Sequence, residues 1–206
     1  LLSQNFAYGL HAYGTNRIYN LRFERCIFHN CDTLVGAFEG VENITFEDCL
    51  FWDSSIGFGY SDALNLNLSL INCYAARTAL NIKNVDGLTV RGNIIHSDVY
   101  VPFGYTSVHG ELPADIDDNA YYGINGFDAF PYYSGAKPFT DYQRLTSFDG
   151  HSAYAGTAPT ENAAFVFPCT YKPKLAHLAV FNWQERDTVR VDVQAIGLPD
   201  GTRCLL

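Results

Sequence analysis

The chain has 206 residues, of which 48% are hydrophobic, 15% aromatic and 17% charged. That is enough for one sizeable core with an appendage, and far from the composition of a disordered segment. No stretch approaches the roughly 18 uninterrupted apolar residues of a membrane helix, so membrane insertion is not expected. Thirteen Lys and Arg against 22 Asp and Glu leave a formal charge of −9, which repels a phosphate backbone and excludes nucleic acid as a partner. The sequence opens at Leu1 with no signal-peptide pattern and contains no Met, as expected for a piece of a longer polypeptide.

A period organises the first half. Asn20-Leu21-Arg22-Phe23-Glu24-Arg25-Cys26-Ile27-Phe28 returns 23 residues later as Asn43-Ile44-Thr45-Phe46-Glu47-Asp48-Cys49-Leu50-Phe51. It returns again 24 residues on as Asn67-Leu68-Ser69-Leu70-Ile71-Asn72-Cys73-Tyr74-Ala75. A shorter copy, Gly87-Leu88-Thr89-Val90-Arg91-Gly92-Asn93-Ile94-Ile95, puts Asn93 where the others carry Cys. Within each copy apolar and polar residues alternate, the period of a strand with one buried face. A second apolar run follows the first three copies, at Leu34–Phe38, Ile56–Tyr60 and Ala79–Ile82. A coil of about 23 residues at ~3.3 Å each closes around a small apolar interior, and such coils stack at ~4.8 Å through backbone hydrogen bonds. This pattern is a parallel β-helix. The Leu-x-x-Leu-x-Leu frame of leucine-rich repeats is absent.

From Val101 to about Phe139 the alternation stops and Gly, Pro, Asp and aromatic residues dominate, as in a long structured loop. Thr140-Asp141 then opens a short helical segment near Tyr142–Ser147. Ala164–Phe167, His177–Asn182, Thr188–Val193 and Thr202–Leu206 alternate as strands, with Pro199-Asp200-Gly201 as a tight turn.

The copies resemble the right-handed parallel β-helix (pectate-lyase-like) superfamily of polysaccharide-active proteins. Tyr8-Gly9-Leu10-His11-Ala12-Tyr13-Gly14, the stretch Tyr142–Ser152 and the stretch Phe165–Trp183 are similar to phrases in secreted bacterial β-helix proteins. The resemblance implies an all-β fold. Residues 1–101 would be the C-terminal coils of a right-handed parallel β-helix, 102–160 a long aromatic-rich loop with a short helix, and 161–206 a small antiparallel β unit. It also implies an extracellular or cell-surface protein that binds or acts on polysaccharide, by lyase or glycoside hydrolase chemistry if it is an enzyme. The competing class is a non-catalytic surface or assembly protein, self-associating as a stiff rod.

Several residues carry candidate chemistry. A lyase of this superfamily needs a base beside a neutralised uronate carboxylate, and a hydrolase needs paired carboxylates. His11, flanked by Gly on an early coil, is a candidate for reaching a groove. Glu24, Glu47 and Asp48 stack on one exposed face beside Arg22 and Arg25, where cross-coil ion pairs are the competing reading. Asp115-x-Asp117-x-Asn119 offers hard oxygen ligands for Ca²⁺ without the remainder of an EF-hand, and an Asx-stabilised turn is the simpler explanation. Tyr121, Tyr122, Tyr132 and Tyr133, with Phe127 and Phe130, would line a sugar platform or else cover an open end of the solenoid. Cys169 and Cys204 fall in the terminal strands, where a disulfide would fit an oxidising compartment. Asn43-Ile44-Thr45 and Asn67-Leu68-Ser69 match the glycosylation sequon at equivalent repeat positions. Cys26, Cys49 and Cys73 share one repeat position, so a parallel stack places them in a single buried thiol column; Cys31 makes Cys-x4-Cys with Cys26, but no second matched pair completes a tetrahedral set, and no metal site is expected from them.

Overall fold

The computed structural model describes residues 8–12, 15–98, 103–123, 126–169, 172 and 174–197, with 8–12 and 195 as backbone alone. The strands of the first half are β1 (Tyr8–Ala12), β2 (Ile18–Glu24), β3 (Ile27–His29), β4 (Asp32–Val35), β5 (Val41–Glu47), β6 (Leu50–Phe58), β7 (Asn65–Ile71), β8 (Tyr74–Lys83), β9 (Val85–Asp86), β10 (Leu88–Arg91) and β11 (Ile94–Ser97). Then come β12 (Phe103–Thr106), β13 (Ala114–Asp117), β14 (Ala120–Gly123), β15 (Asp128–Phe130), helix α1 (Phe139–Thr146), β16 (Ala153–Ala155), β17 (Ala163–Pro168), β18 (Ala176–Phe181) and a 3₁₀ turn at Gln194–Ile196.

Two parallel sheets form a solenoid. One stacks β2, β5, β7, β10 and β13 in that order, and the other runs β1, β4, β6, β8, β11, β14 and β16, with β3, β12 and β15 joined to its flanks. The alternation read from the sequence becomes columns of inward residues, one per coil: Phe23, Phe46, Leu70, Val90 and Ile116 in the first sheet. The second sheet supplies Phe28, Phe51, Ala75, Ile95, Tyr121 and Tyr154. Identical rings stack along these columns, Phe23 on Phe46 at 4.6 Å and Phe28 on Phe51 at 5.0 Å between centroids.

The corner between the sheets is turned by one left-handed residue per coil: Arg25 (φ 52°), Asp48 (53°), Asn72 (52°), Gly92 (68°) and Asp118 (58°). Gly92 is required for a further reason, because a Cβ there would lie 2.4 Å from Asn72 Oδ1. The residue after each corner begins the next strand's approach, giving the column Cys26, Cys49, Cys73, Asn93 and Asn119, which Ser152 continues above Asn119. Its lower half is thiol and its upper half is hydrogen-bonded. The Cys73 N–H donates to Asn93 Oδ1 at 2.8 Å, the Asn93 N–H to Asn119 Oδ1 at 3.0 Å, and the Asn119 N–H to Ser152 Oγ at 2.7 Å. A second left-handed column runs through Asn20, Asn43, Asn67 and Gly87, and its three asparagines form an amide ladder: Asn43 Nδ2 donates to Asn20 Oδ1 at 2.9 Å and Asn67 Nδ2 to Asn43 Oδ1 at 3.0 Å. The two sequon asparagines are members of this ladder.

Two expectations change. The stretch 102–160, read as loop and helix, supplies five further strands to the solenoid: β13 pairs with β10, β14 with β11 and β16, and β12 with β8 and β15. These strands are three or four residues long, too short for their alternation to stand out among the Gly, Pro and Asp between them. Thr188–Val193 forms no strand and leads instead into the 3₁₀ turn, while the expected strand at 202–206 and the Pro199-Asp200-Gly201 turn lie outside the described residues.

The chain divides into two compact units, 1–158 and 159–206. In the second, β17 and β18 pair antiparallel from Ala163 opposite Phe181 to Pro168 opposite Ala176, with the Phe165 ring edge-on to Phe181 at 5.9 Å.

The solenoid interior makes a quantitative demand. Phe46 is fully buried among the rings of Phe23, Phe28, Phe51 and Phe58. Phe46→Ala is expected to cost about 3–5 kcal/mol, as other buried Phe truncations do, measured as a lowered urea midpoint with unchanged m-value.

Candidate functional site

The charged residues on the first sheet's outer face are engaged with one another. Glu24 and Glu47 are register neighbours. Arg22 bonds Glu47 and lies 3.6 Å from Glu24, and Arg25 lies 3.9 Å from Glu24. Asp48 is a corner residue with positive φ. The next coil offers Ile71 beside Glu47, so the acidic row ends after two residues. This is a ladder of exposed ion pairs.

The calcium reading fails on the alternation of β13. Asp115 and Asp117 face outward, but the left-handed corner at Asp118 turns Asn119 into the buried column, where its amide donates to Val90 O at 2.8 Å and Asp149 Oδ1 at 3.1 Å. Arg91 bonds both Asp115 and Asp118. Asp117 accepts the His151 backbone N–H at 2.7 Å and has the His151 Nδ1 2.6 Å from its other oxygen. This imidazole holds the Asp117 carboxyl down at about 2 and is itself pushed up by it. The donor atoms of Asp117, Asp118 and His151 lie within 4.8 Å of one another, but an imidazole in the set and a guanidinium already on Asp118 do not suit Ca²⁺, which takes six to eight oxygens.

Three of the candidate tyrosines are engaged with the core, Tyr121 within it and Tyr132 and Tyr133 packed against it. Tyr121 is fully buried, and its hydroxyl donates to the equally buried Asp149, as does that of Tyr142 at 2.7 Å. Tyr132 packs edge-on to Phe148 at 5.2 Å, and Tyr133 donates to Phe127 O at 2.9 Å. Tyr121 has no ring face to offer a sugar. Tyr122 is half-buried, in register with His96.

A trough crosses the outer face of the second sheet. One residue per coil forms its floor: Leu34, Gly57, Asn81, Gly104 and Asp128 stand in register from β4 to β15. With Ser55, Gly59, Lys83 and Thr106 they enclose a groove of about 480 Å³. Gly57 and Gly104 have ordinary extended backbones, so a turn does not require them. They clear the face: a Cβ at Gly57 would meet Leu34 Cδ1 at 2.9 Å, and one at Gly104 would meet Asn81 Oδ1 at 3.3 Å. Ser55 donates to Asp32 Oδ1 at 2.8 Å, and Lys83 Nζ lies 2.9 Å from Asp62. Phe130, in register with Thr106, exposes 47% of its surface at one end. At the other, Phe38 and Tyr60, 50% and 45% exposed, meet edge to face at 5.5 Å. His11 stands in register with Leu34, one strand beyond the described floor.

The floor has hydrogen-bonding groups and flanking aromatics but no acid–base pair among the described residues. Asp32 and Asp128 are four coils apart, about 19 Å at the coil spacing, whereas glycosidase carboxylates stand about 5–9.5 Å apart. Sequence reading missed the trough because its residues lie 23 or 24 positions apart, and its one local mark is glycine inside a strand. The Cys169–Cys204 pairing lies outside the described residues. No family model, curated protein or solved structure matches the chain.

The exposed His151 provides a pH test. Asp117 raises its pKa above the usual histidine value, so the ion pair stabilises the fold below that usual value and is lost as pH rises through the raised one. An NMR titration is expected to find the His151 midpoint above 6.5, returning toward 6.5 in Asp117→Asn.

Proposed function

We propose that the protein is an extracellular or cell-surface polysaccharide-binding solenoid of the pectate-lyase-like kind, and that the trough over β4, β6, β8, β12 and β15 takes the glycan chain lengthwise. The observation that carries this reading is the cleared row Leu34, Gly57, Asn81, Gly104 and Asp128. It provides a shallow path along the stack in which each coil after that of Leu34 offers a polar or empty position. Side-chain hydroxyl, amide and carboxylate groups on such a floor suit sugar hydroxyls, and exposed rings at both ends suit the apolar faces of pyranoses.

Charge narrows the ligand. Asp32 and Asp128 are acidic, and the ammonium of Lys83 already faces Asp62. A polyuronate would bring its carboxylates to a floor with no free cation among the described residues, so a neutral glycan is favoured. The distance between the trough carboxylates supports binding over cleavage.

Calorimetry with neutral glucan, mannan and xylan oligosaccharides, beside oligogalacturonate, tests the proposal. Neutral oligosaccharides are expected to bind more tightly than oligogalacturonate. Gly104→Leu, which fills the floor from an outward strand position, is expected to weaken binding at least tenfold with little change in melting temperature. Undiminished affinity in Gly104→Leu contradicts the trough, and no affinity for any of the glycans favours the structural-rod reading.

A further inference from the structure

The thiol column stands apart from the trough, at the inner corner of the first three coils. Cys26, Cys49 and Cys73 occupy one register position, set by Ile27 beside Leu50 and Leu50 beside Tyr74. They also share one conformation. Each S–H points at the carbonyl two residues back in its own strand: Cys26 to Glu24 O at 3.5 Å, Cys49 to Glu47 O at 3.4 Å and Cys73 to Ile71 O at 3.3 Å. The upper two also reach the coil below, Cys49 to Phe23 O at 3.4 Å and Cys73 to Phe46 O at 3.7 Å. Cys49 and Cys73 are buried, whereas Cys26 at the lower end is half-buried. The column is thus a file of similarly oriented sulfurs on successive coils, most exposed at Cys26.

That spacing matches a particular coordination. A zinc–thiolate bond is about 2.3 Å, and two soft-metal–thiolate bonds of about that length in line span ~4.6 Å, close to the ~4.8 Å coil repeat. Soft thiolates select Cu(I) among biological metals, whereas tetrahedral Zn²⁺ needs four ligands that a straight file does not provide. We propose that Cys26 and Cys49 form a two-coordinate site for a soft monovalent cation, Cu(I) or its analogue Ag(I), held in line between the first two stacked coils. Each sulfur exchanges its proton for the metal bond, so loading releases two protons and leaves an S–M–S unit with one net negative charge. Above Cys73 the column changes to Asn93, whose Oδ1 accepts the Cys73 N–H, so the soft donors stop at the third coil.

The test uses the whole chain with Cys31, Cys169 and Cys204 replaced by Ser, titrated with Ag(I) in chloride-free buffer and followed by the near-ultraviolet thiolate-to-metal band and by native mass spectrometry. One ion per chain is expected, with the mass raised by one silver less two protons. Cys49→Ser and Cys26→Ser are each expected to weaken binding at least a hundredfold, and Cys73→Ser to retain it, with circular dichroism confirming the fold. In the unsubstituted chain one equivalent of Ag(I) is expected to protect Cys26 from N-ethylmaleimide before Cys169, a readout independent of any variant's folding. Absence of binding, loss of binding in Cys73→Ser with retention in Cys26→Ser, or protection of Cys169 before Cys26 would each overturn the site.

Discussion

Five successive coils turn the inner corner on a left-handed residue at one register, and the rest of the structure keeps step with that turn. Arg25, Asp48, Asn72, Gly92 and Asp118 all adopt positive φ at the same register. For a residue with a Cβ this conformation costs roughly 1–2 kcal/mol, so it persists only where the coils above and below gain from it. The gain is register. With every corner aligned, each strand enters its sheet in phase, and Phe46 lies on Phe23 rather than facing solvent. A slip of one residue would turn each buried column outward.

The same corner determines how the polar column ends. Asn93 and Asn119 each spend a side-chain oxygen on the backbone N–H of the coil below and a side-chain N–H on a carbonyl, Leu70 O and Val90 O respectively. Above Asn119 the column passes to Ser152, and Asp149 takes over. It is fully buried, with a pKa raised by desolvation, and it accepts from Asn119, Tyr121, Tyr142 and Ser152. An uncompensated buried carboxylate would be strongly destabilising. Four donors satisfy this one, and through Tyr142 they tie α1 to the end of the stack. The Tyr142 ring lies 4.8 Å from Phe127, so the helix covers the apolar interior with the same residue that anchors the carboxylate. A trough on the outer face is possible because these inner columns hold the coils in place, leaving outward positions such as Gly57 and Gly104 free of any packing duty.

The solenoid was legible because its cause repeats. Asn20, Asn43 and Asn67, and Cys26, Cys49 and Cys73, recur at near-constant spacing, since each must meet its counterpart directly above. Where the coils carry insertions, between Ser97 and Ala114 and between Gly123 and Ala153, the columns continue but the spacing does not. Asn119 could therefore be read as part of a calcium loop while it occupies the position of Asn93, and Tyr121 as a sugar platform while it continues the column of Phe28 and Phe51. Local sequence does not record which face a residue takes once the count is broken; the positive φ at Asp118 decides it. The trough was hidden for the complementary reason: its members share a surface only after folding, and two of them are glycines whose contribution is an absent side chain.

In-register side-chain columns, rather than strand pairing alone, fix the coils. Hydrogen exchange of individual backbone amides tests it most directly, because the N–H groups of Cys73, Asn93 and Asn119 donate to side chains one coil away and not to a neighbouring strand carbonyl. These three amides are expected to be protected as strongly as the strand amides around them, and in Asn119→Ala protection should fall at Asn93 while persisting at Cys73. Exchange of all three at the rate of exposed turns, or protection at Asn93 unchanged by Asn119→Ala, would contradict the account.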